Sequence, residues 1–190
     1  IAFFRQNNKK VLTTKDTDIV IEGFWRCANH YAVFAFKNAE KNINIAHHFH
    51  ASAQIKIAIK KNIPSLVLIR NPFDCIASCL VFEPNTKPQY FIEYYKQFYI
   101  SLMDLRNYFV ISDFDETITN FGAVMKKINE KFNMNFRIFD NSKENINKNL
   151  VSGNVEIVVD KIRLLNESKT PPFSINDLSV NEDQRLKYRW

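Results

Sequence analysis

The sequence predicts an α/β domain, a mostly parallel sheet flanked by helices, and three observations lead there. Short apolar runs alternate with helix-period segments along residues 18–139, the pattern of strands joined by crossover helices. The run Ser65-Leu66-Val67-Leu68-Ile69 is apolar almost throughout, which marks a strand buried on both faces. Two strands give way at once to a turn holding an arginine and then to a helix start, Gly23-Phe24-Trp25-Arg26-Cys27-Ala28-Asn29-His30 and Arg70-Asn71-Pro72-Phe73-Asp74. A length of 190 residues, 46% hydrophobic and 14% aromatic, suits one globular domain with a substantial core.

Residues 1–17 are a mostly polar lead-in to a strand at 18–22. A helix follows at 29–39, with Asn29 available as its N-cap. Residues 43–50 are strand-like and end in His47-His48-Phe49-His50, and 51–61 form a helix with Ile57 and Ala58 on its apolar face. The third strand is 65–70, after which Pro72 fits the first turn of a helix, where its missing N–H has no partner to lose. An aromatic amphipathic helix is expected at 88–108, a strand at 108–114 and a helix at 117–132, where Ile118, Phe121, Val124, Met125 and Ile128 keep helical spacing. Arg137-Ile138-Phe139 is predicted as a last short strand. The expected organisation is a core over 1–139 and a polar helical extension of the same domain over 140–190.

The net charge of +6 favours acidic partners such as nucleotides or acidic glycans. The basic residues are scattered and form no dense stripe, so no nucleic acid partner is expected. Cys27, Cys75 and Cys79 form neither a paired framework nor a zinc spacing. They predict a reducing, cytoplasmic setting, and no metal is expected. No apolar run approaches the roughly 20 residues of a membrane helix. The chain starts at Ile1, which leaves an upstream signal or anchor open.

Each arginine-bearing turn lies where a parallel strand meets a helix N-terminus, a place with spare N–H donors and partial positive charge that suits phosphate or sulfate. Gly23–His30 has the outline of a Walker A loop, G-x-x-x-x-G-K-S/T, with Ala28, Asn29 and His30 in place of the second Gly, the Lys and the Ser/Thr. Without that Lys and the metal-binding hydroxyl, ordinary nucleoside triphosphate hydrolysis is disfavoured. Arg26 stands inside the loop instead, able to fork two hydrogen bonds onto an oxyanion.

Here the chain resembles the sulfotransferase superfamily, enzymes of P-loop-type α/β architecture. Trp25-Arg26-Cys27-Ala28-Asn29-His30-Tyr31 lies without a gap along the family pattern P-K/R-S-G-T-T-W/F/L, and Arg70-Asn71-Pro72-Phe73-Asp74-Cys75-Ile76-Ala77-Ser78 fits every fixed position of R-D/N-P-x-D-x-x-x-S. Phe114-Asp115-Glu116, expected at a strand end, is similar to the family's Y-E-D. The resemblance spans residues 18–139, about two thirds of the chain. It implies 3′-phosphoadenosine 5′-phosphosulfate as donor, with Arg26 and the backbone of Cys27, Ala28, Asn29 and His30 on the phosphosulfate. It further implies Arg70 and Ser78 on the 3′-phosphate, and Tyr31 near the adenine. Departures are Trp25 for proline, Cys27 for serine, Ala28 for glycine, and Asn29 and His30 for the threonines. No glycine-rich R-K-G segment follows.

Alternation along the strand puts His48 and His50 on one face and His47 on the other. The family carries a base histidine at the matching strand end, and His48 fits that place as catalytic base beside Arg26. Imidazole is suited to take the acceptor hydroxyl's proton. A structural role for these histidines is the plain alternative, and a metal held by His48 and His50 lacks a third ligand. Cys27 as a nucleophile lacks a histidine–acid partner pattern. Tyr90, Phe91, Tyr94, Tyr95, Phe98 and Tyr99 could meet an acceptor sugar, although such a stripe is more often core. Arg70 has the alternative of a local salt bridge to Asp74. The expected function is transfer of a sulfuryl group to a hydroxyl or amine acceptor, a glycan or small metabolite. The alternatives are a non-catalytic nucleotide-binding module and a P-loop small-molecule kinase.

Overall fold

The computed structural model describes residues 12–152. The elements run β1 (Ile19–Gly23), α1 (Asn29–Ala39), β2 (Ile45–His47), α2 (Ser52–Lys60), β3 (Ser65–Ile69), α3 (Pro72–Phe82), α4 (Pro88–Ile100), a 3₁₀ turn (Met103–Tyr108), β4 (Val110–Asp113), α5 (Phe114–Thr119), α6 (Phe121–Phe132) and α7 (Lys143–Ser152). The strands form one sheet in the order β2-β1-β3-β4, and every neighbouring pair is parallel. The expected class is the observed one, an α/β fold on a parallel sheet.

Alternating side chains separate two packed layers. Ile19, Ile21, Leu66, Leu68 and Val110 face α1, α3 and α6, through Phe36, Ile76, Phe121, Val124 and Ile128. Val20, Ala46 and Val67 face the other way, onto Ile55 and Ala58 of α2 and onto Phe98, Leu102 and Phe109. Burying the side chains of β1 and β3 on both faces explains their unbroken apolar runs.

The chain leaves β1 toward β2 on one side and β3 toward β4 on the other. The strand order therefore reverses between β1 and β3, and the crevice beyond their carboxyl ends is the topological switch point, where open α/β sheets bind ligands. The register pairs Gly23 with Leu68 there. A Cβ on Gly23 would come within 2.6 Å of the Leu68 carbonyl oxygen, so this position needs glycine for close approach of the two strands.

Several expected boundaries shift. β2 stops at His47 because His48 and His50 take left-handed φ values of 64° and 53°, which break the extended pleat. The aromatic helix ends at Ile100 and tightens into the 3₁₀ turn. The helix expected at 117–132 is two helices broken at Asn120, whose φ of −144° and ψ of 48° are not helical. Phe114 opens α5 rather than ending β4, with the Asp113 side chain accepting from the Glu116 N–H. Arg137-Ile138-Phe139 forms no strand; Phe139 is buried against Phe121 instead. Within the expected extension, α7 packs on α1 and α5, and residues 153–190 lie outside the described residues.

Candidate functional site

The first turn, between β1 and α1, is built on strained backbone. Arg26 and Ala28 have φ values of 66° and 64°, a region that disfavours side chains by about 1–3 kcal/mol per residue. Asn29 is not the cap. Ala28 occupies that position, and Asn29 is the first helical residue, with its Nδ2 donating to the Phe24 carbonyl at 2.8 Å. Thus α1 begins without a side-chain cap and without an acid in its first turn, leaving its early N–H groups without those usual partners.

The second turn is conventional. The Asn71 side chain accepts from the Phe73 N–H at 2.9 Å, Pro72 opens α3, and Asp74 lies in its first turn. What this turn contributes is side chains. Ser78, one turn further along α3, is wholly buried, and its hydroxyl accepts from Arg26 Nε at 3.0 Å. Arg70 Nη1 donates to the Arg26 carbonyl at 3.2 Å.

Arg26, Arg70 and Ser78 thus form one cluster across the switch point. Each guanidinium rests on an aromatic face, Arg26 on Phe82 at 4.4 Å and Arg70 on Phe114 at 4.0 Å. Among the described residues no carboxylate forms a salt bridge with either arginine, so the local pair with Asp74 is not formed. Burial holds the Arg26 guanidinium below its ordinary pKa; Cys79 opposes that, and the charge of Arg70 adds to it. Two cations without acids, one of them largely desolvated, make a place where an anion gains much from binding.

Two tyrosines of α4 tie the turns together. The Tyr95 hydroxyl donates to the Arg70 carbonyl and the Tyr99 hydroxyl to the Leu68 carbonyl, each at 2.7 Å. Tyr99 also accepts from the Phe24 N–H at 3.3 Å. Behind the first turn, Cys27 Sγ lies 3.5 Å from Cys75 Sγ, and all three cysteines are buried free thiols.

All four histidines of the sequence gather beside the first turn. The His48 ring meets those of His47, His30 and His50 at centroid distances of 4.7, 5.8 and 5.8 Å. The expectation that His47 faces away from His48 fails, because alternation ends where His48 turns left-handed; their Nδ1 atoms are 2.5 Å apart. Burial, then Lys37 and the neighbouring histidines, lowers His47 to about 4. Burial followed by His47 and His50 lowers His48 to about 3. Both are neutral at pH 7, and both are weaker bases than free imidazole. Among the described residues no group of three or more His, Cys, Asp or Glu side chains is arranged to hold a metal ion.

Tyr31 is corrected as an adenine contact. It is fully buried, with its ring edge-on to Phe121 at 6.4 Å, because its position two residues into α1 turns it toward the sheet. Cys27 is likewise buried, its thiol 3.5 Å from Cys75 Sγ and 3.4 Å from the Tyr99 hydroxyl. Of the aromatic stripe, Phe91, Tyr95 and Phe98 belong to the core. Tyr94 stacks on Trp25 at 5.0 Å and on Tyr90 at 6.1 Å.

Glu22 is a site residue that the sequence motifs do not include. It is wholly buried at the end of β1, and its two oxygens accept from the Phe49 and His50 N–H groups at 2.9 and 2.8 Å. Burial pushes it up to about 8, against the lowering effect of those two N–H bonds. The available signal was one acid at the end of an apolar strand.

No protein-family model matches the chain. The aspartate–tRNA ligase of Geobacillus kaustophilus (strain HTA426) is 50% identical over 48 residues, covering 25% of this chain and 8% of that protein. The corresponding ligase of Staphylococcus carnosus (strain TM300) is 51% identical over 49 residues, again 25% and 8%. The chain therefore spans less than a tenth of the length of these curated relatives. Among solved structures, mouse sulfotransferase SULT7A1 complexed with PAP is similar at 12% identity and a TM-score of 0.48, over 91% of this chain and 74% of that one. No helix among the described residues is long and apolar enough to cross a membrane.

Proposed function

We propose that the chain binds 3′-phosphoadenosine 5′-phosphosulfate at the switch point and transfers its sulfuryl group to a hydroxyl or amine of a glycan or small metabolite. The observation that carries this reading is the cluster of Arg26, Arg70 and buried Ser78 between β1 and β3, with no carboxylate partner among the described residues. The fit of Arg70 through Ser78 to the second sulfotransferase signature supports it from the sequence side. In this reading the uncapped start of α1 takes the phosphosulfate on backbone N–H groups, and Arg26 meets the charge that grows on the bridging oxygen. Arg70 and Ser78 take the 3′-phosphate. His48, neutral at pH 7, receives the acceptor's proton as the sulfur–oxygen bond to the acceptor forms and that to the donor breaks. No metal is needed in this scheme.

The Arg26–Ser78 bond favours one second reading. It engages both groups with each other, as in a module that holds a nucleotide without turning it over. Calorimetry against adenosine 3′,5′-bisphosphate and AMP, without magnesium, tests the part common to both readings. The bisphosphate should bind about tenfold to a hundredfold more tightly, the worth of a charged hydrogen-bonded contact of roughly 1.5–3 kcal/mol. Equal affinities would remove the donor assignment. Single-turnover release of the bisphosphate from the phosphosulfate, in the presence of acceptor, separates the enzyme from the module.

A further inference from the structure

The loop that carries His48 and His50 is held by something other than strand pairing. β2 ends at His47, and the next residues include two left-handed non-glycine positions, at φ 64° and 53°. Such positions persist only where the surroundings fix them. The fixing contacts come from two consecutive residues of β1. The Glu22 carboxyl reaches across to the loop, with Oε1 accepting from Phe49 N–H at 2.9 Å and Oε2 from His50 N–H at 2.8 Å. His50 Nδ1 in turn donates to the Gly23 carbonyl at 2.9 Å.

A side chain with two acceptor oxygens serves two adjacent amides with one oxygen each, as Glu22 does here. An apolar residue would suit Glu22's face of β1 better, since Val20 on the same face packs in an apolar layer and burying a carboxyl is costly. The acid therefore belongs to the loop rather than to the sheet. Between its two anchor points and β2 stands His48, with its ring against that of His30 in the first turn of α1.

We propose that Glu22 is the positioning residue of the histidine loop, clamping Phe49 and His50 so that the His48 and His50 rings are presented to the first turn. Its consequence for chemistry rests on the donor reading above; the clamp itself does not.

The test begins with the unmodified full chain, labelled with ¹⁵N and ¹³C. Scalar couplings across hydrogen bonds should link the amide nitrogens of both Phe49 and His50 to the Glu22 carboxyl carbon. Their absence, with couplings across the β1–β3 ladder visible, would overturn the clamp. In Glu22→Gln one acceptor oxygen is replaced by a donor. Amide exchange at Phe49 and His50 should then speed by about tenfold or more, the ring signals of His48 and His50 should shift, and exchange at Ile21 and Val67 should stay slow. Glu22→Asp, which keeps both oxygens, should recover part of the protection. Unchanged exchange and ring signals in Glu22→Gln would overturn the proposal. Should that variant fail to fold, the couplings in the unmodified chain decide. Bisphosphate affinity should stay within a few-fold in Glu22→Gln. Failure of the unmodified chain to bind the bisphosphate would remove the donor reading while leaving the couplings in place, so the two failures are distinct.

Discussion

The turns after β1 and β3 stand side by side across the switch point, yet they are built by opposite means. The first is strained at Arg26 and Ala28 and opens α1 with no capping side chain. The second is unstrained at Arg70 and self-capped by Asn71, with Pro72 and Asp74 in the usual places. The first leaves its helix start without a capping side chain, while the second caps the Phe73 N–H with its own Asn71 and sets Arg70 and Ser78 against Arg26. Arg26 joins them, rooted in the first turn and bonded to Ser78 of the second. In the donor reading proposed above, a site for two anions is assembled from one helix start that stays chemically open and another that stays closed.

The sharpest way to test that division is to remove one guanidinium at a time. Arg70→Ala should weaken bisphosphate binding about tenfold to a hundredfold, or roughly 1.5–3 kcal/mol, with kcat held. Arg26→Ala should also depress kcat if, as proposed above, its charge meets the transition state. Changes in KM alone for both variants, from steady-state kinetics, would erase the distinction.

Next in size is the spacing between the turns. Gly23→Ala places a methyl 2.6 Å from the Leu68 carbonyl oxygen and 2.9 Å from its Cβ, a backbone contact that cannot swing aside. It should cost about 1–3 kcal/mol of stability, read in denaturant unfolding, and should lower bisphosphate affinity along with it. Lost stability at full affinity would show that the turns tolerate a wider gap.

Three groups whose protonation shifts on folding, Glu22, His47 and His48, all adjoin the first turn. Glu22 binds its proton more tightly when folded, so its contribution is complete below its ordinary 4.5 and is lost as pH rises toward about 8. His47 and His48 bind theirs less tightly when folded. Their contribution is complete above 6.5 and is lost as pH falls through about 4 and about 3. Melting temperature should therefore peak near pH 6.5, with limbs of up to about 1.4 kcal/mol per proton per pH unit. Glu22→Gln should flatten the alkaline limb between 6.5 and 8 and leave the acid limb standing.

The smallest effects compare the helix starts directly. Asn71→Ala removes a cap and should cost about 0.5–2 kcal/mol. Ala28→Gly relieves a left-handed residue and should stabilise by a fraction of about 1 kcal/mol. Thermal melts that reversed these signs would contradict the description of one closed and one open start.

The sequence revealed the parts ruled by local pattern. The apolar runs of β1 and β3 and the Pro72 helix start need no distant partner to be recognised, and α1 occupies the predicted 29–39. Strain and packing hid the rest. Alternation presumes an extended chain, so it misplaced His47 once His48 turned left-handed. Tyr31 occupies a signature position, but the helix phase carries it into the core, where Phe121 meets it. The break at Asn120 divides an apolar stripe that reads as continuous, because Phe121 and Ile118 keep helical spacing across it. Arg26 stood out inside its loop, and Arg70 and Ser78 through the resemblance of their segment to a sulfotransferase signature, whereas the Arg26–Ser78 bond joins residues 52 positions apart. Glu22 stood out only as one acid in an apolar strand, because its partners are main-chain amides, which no side-chain pattern announces.

Tyr99 carries a further consequence. Its single oxygen touches the carbonyl of Leu68, the last β3 residue paired with β1, and the Phe24 N–H just beyond β1. The opening between the turns is therefore gauged by one phenol oxygen rather than by the flexible side chains that line it. A jaw set in this way grips by calibre: in the proposed reading, an anion pair of matching span would meet a frame already at width, and one of another span would have to bend either itself or helix α4.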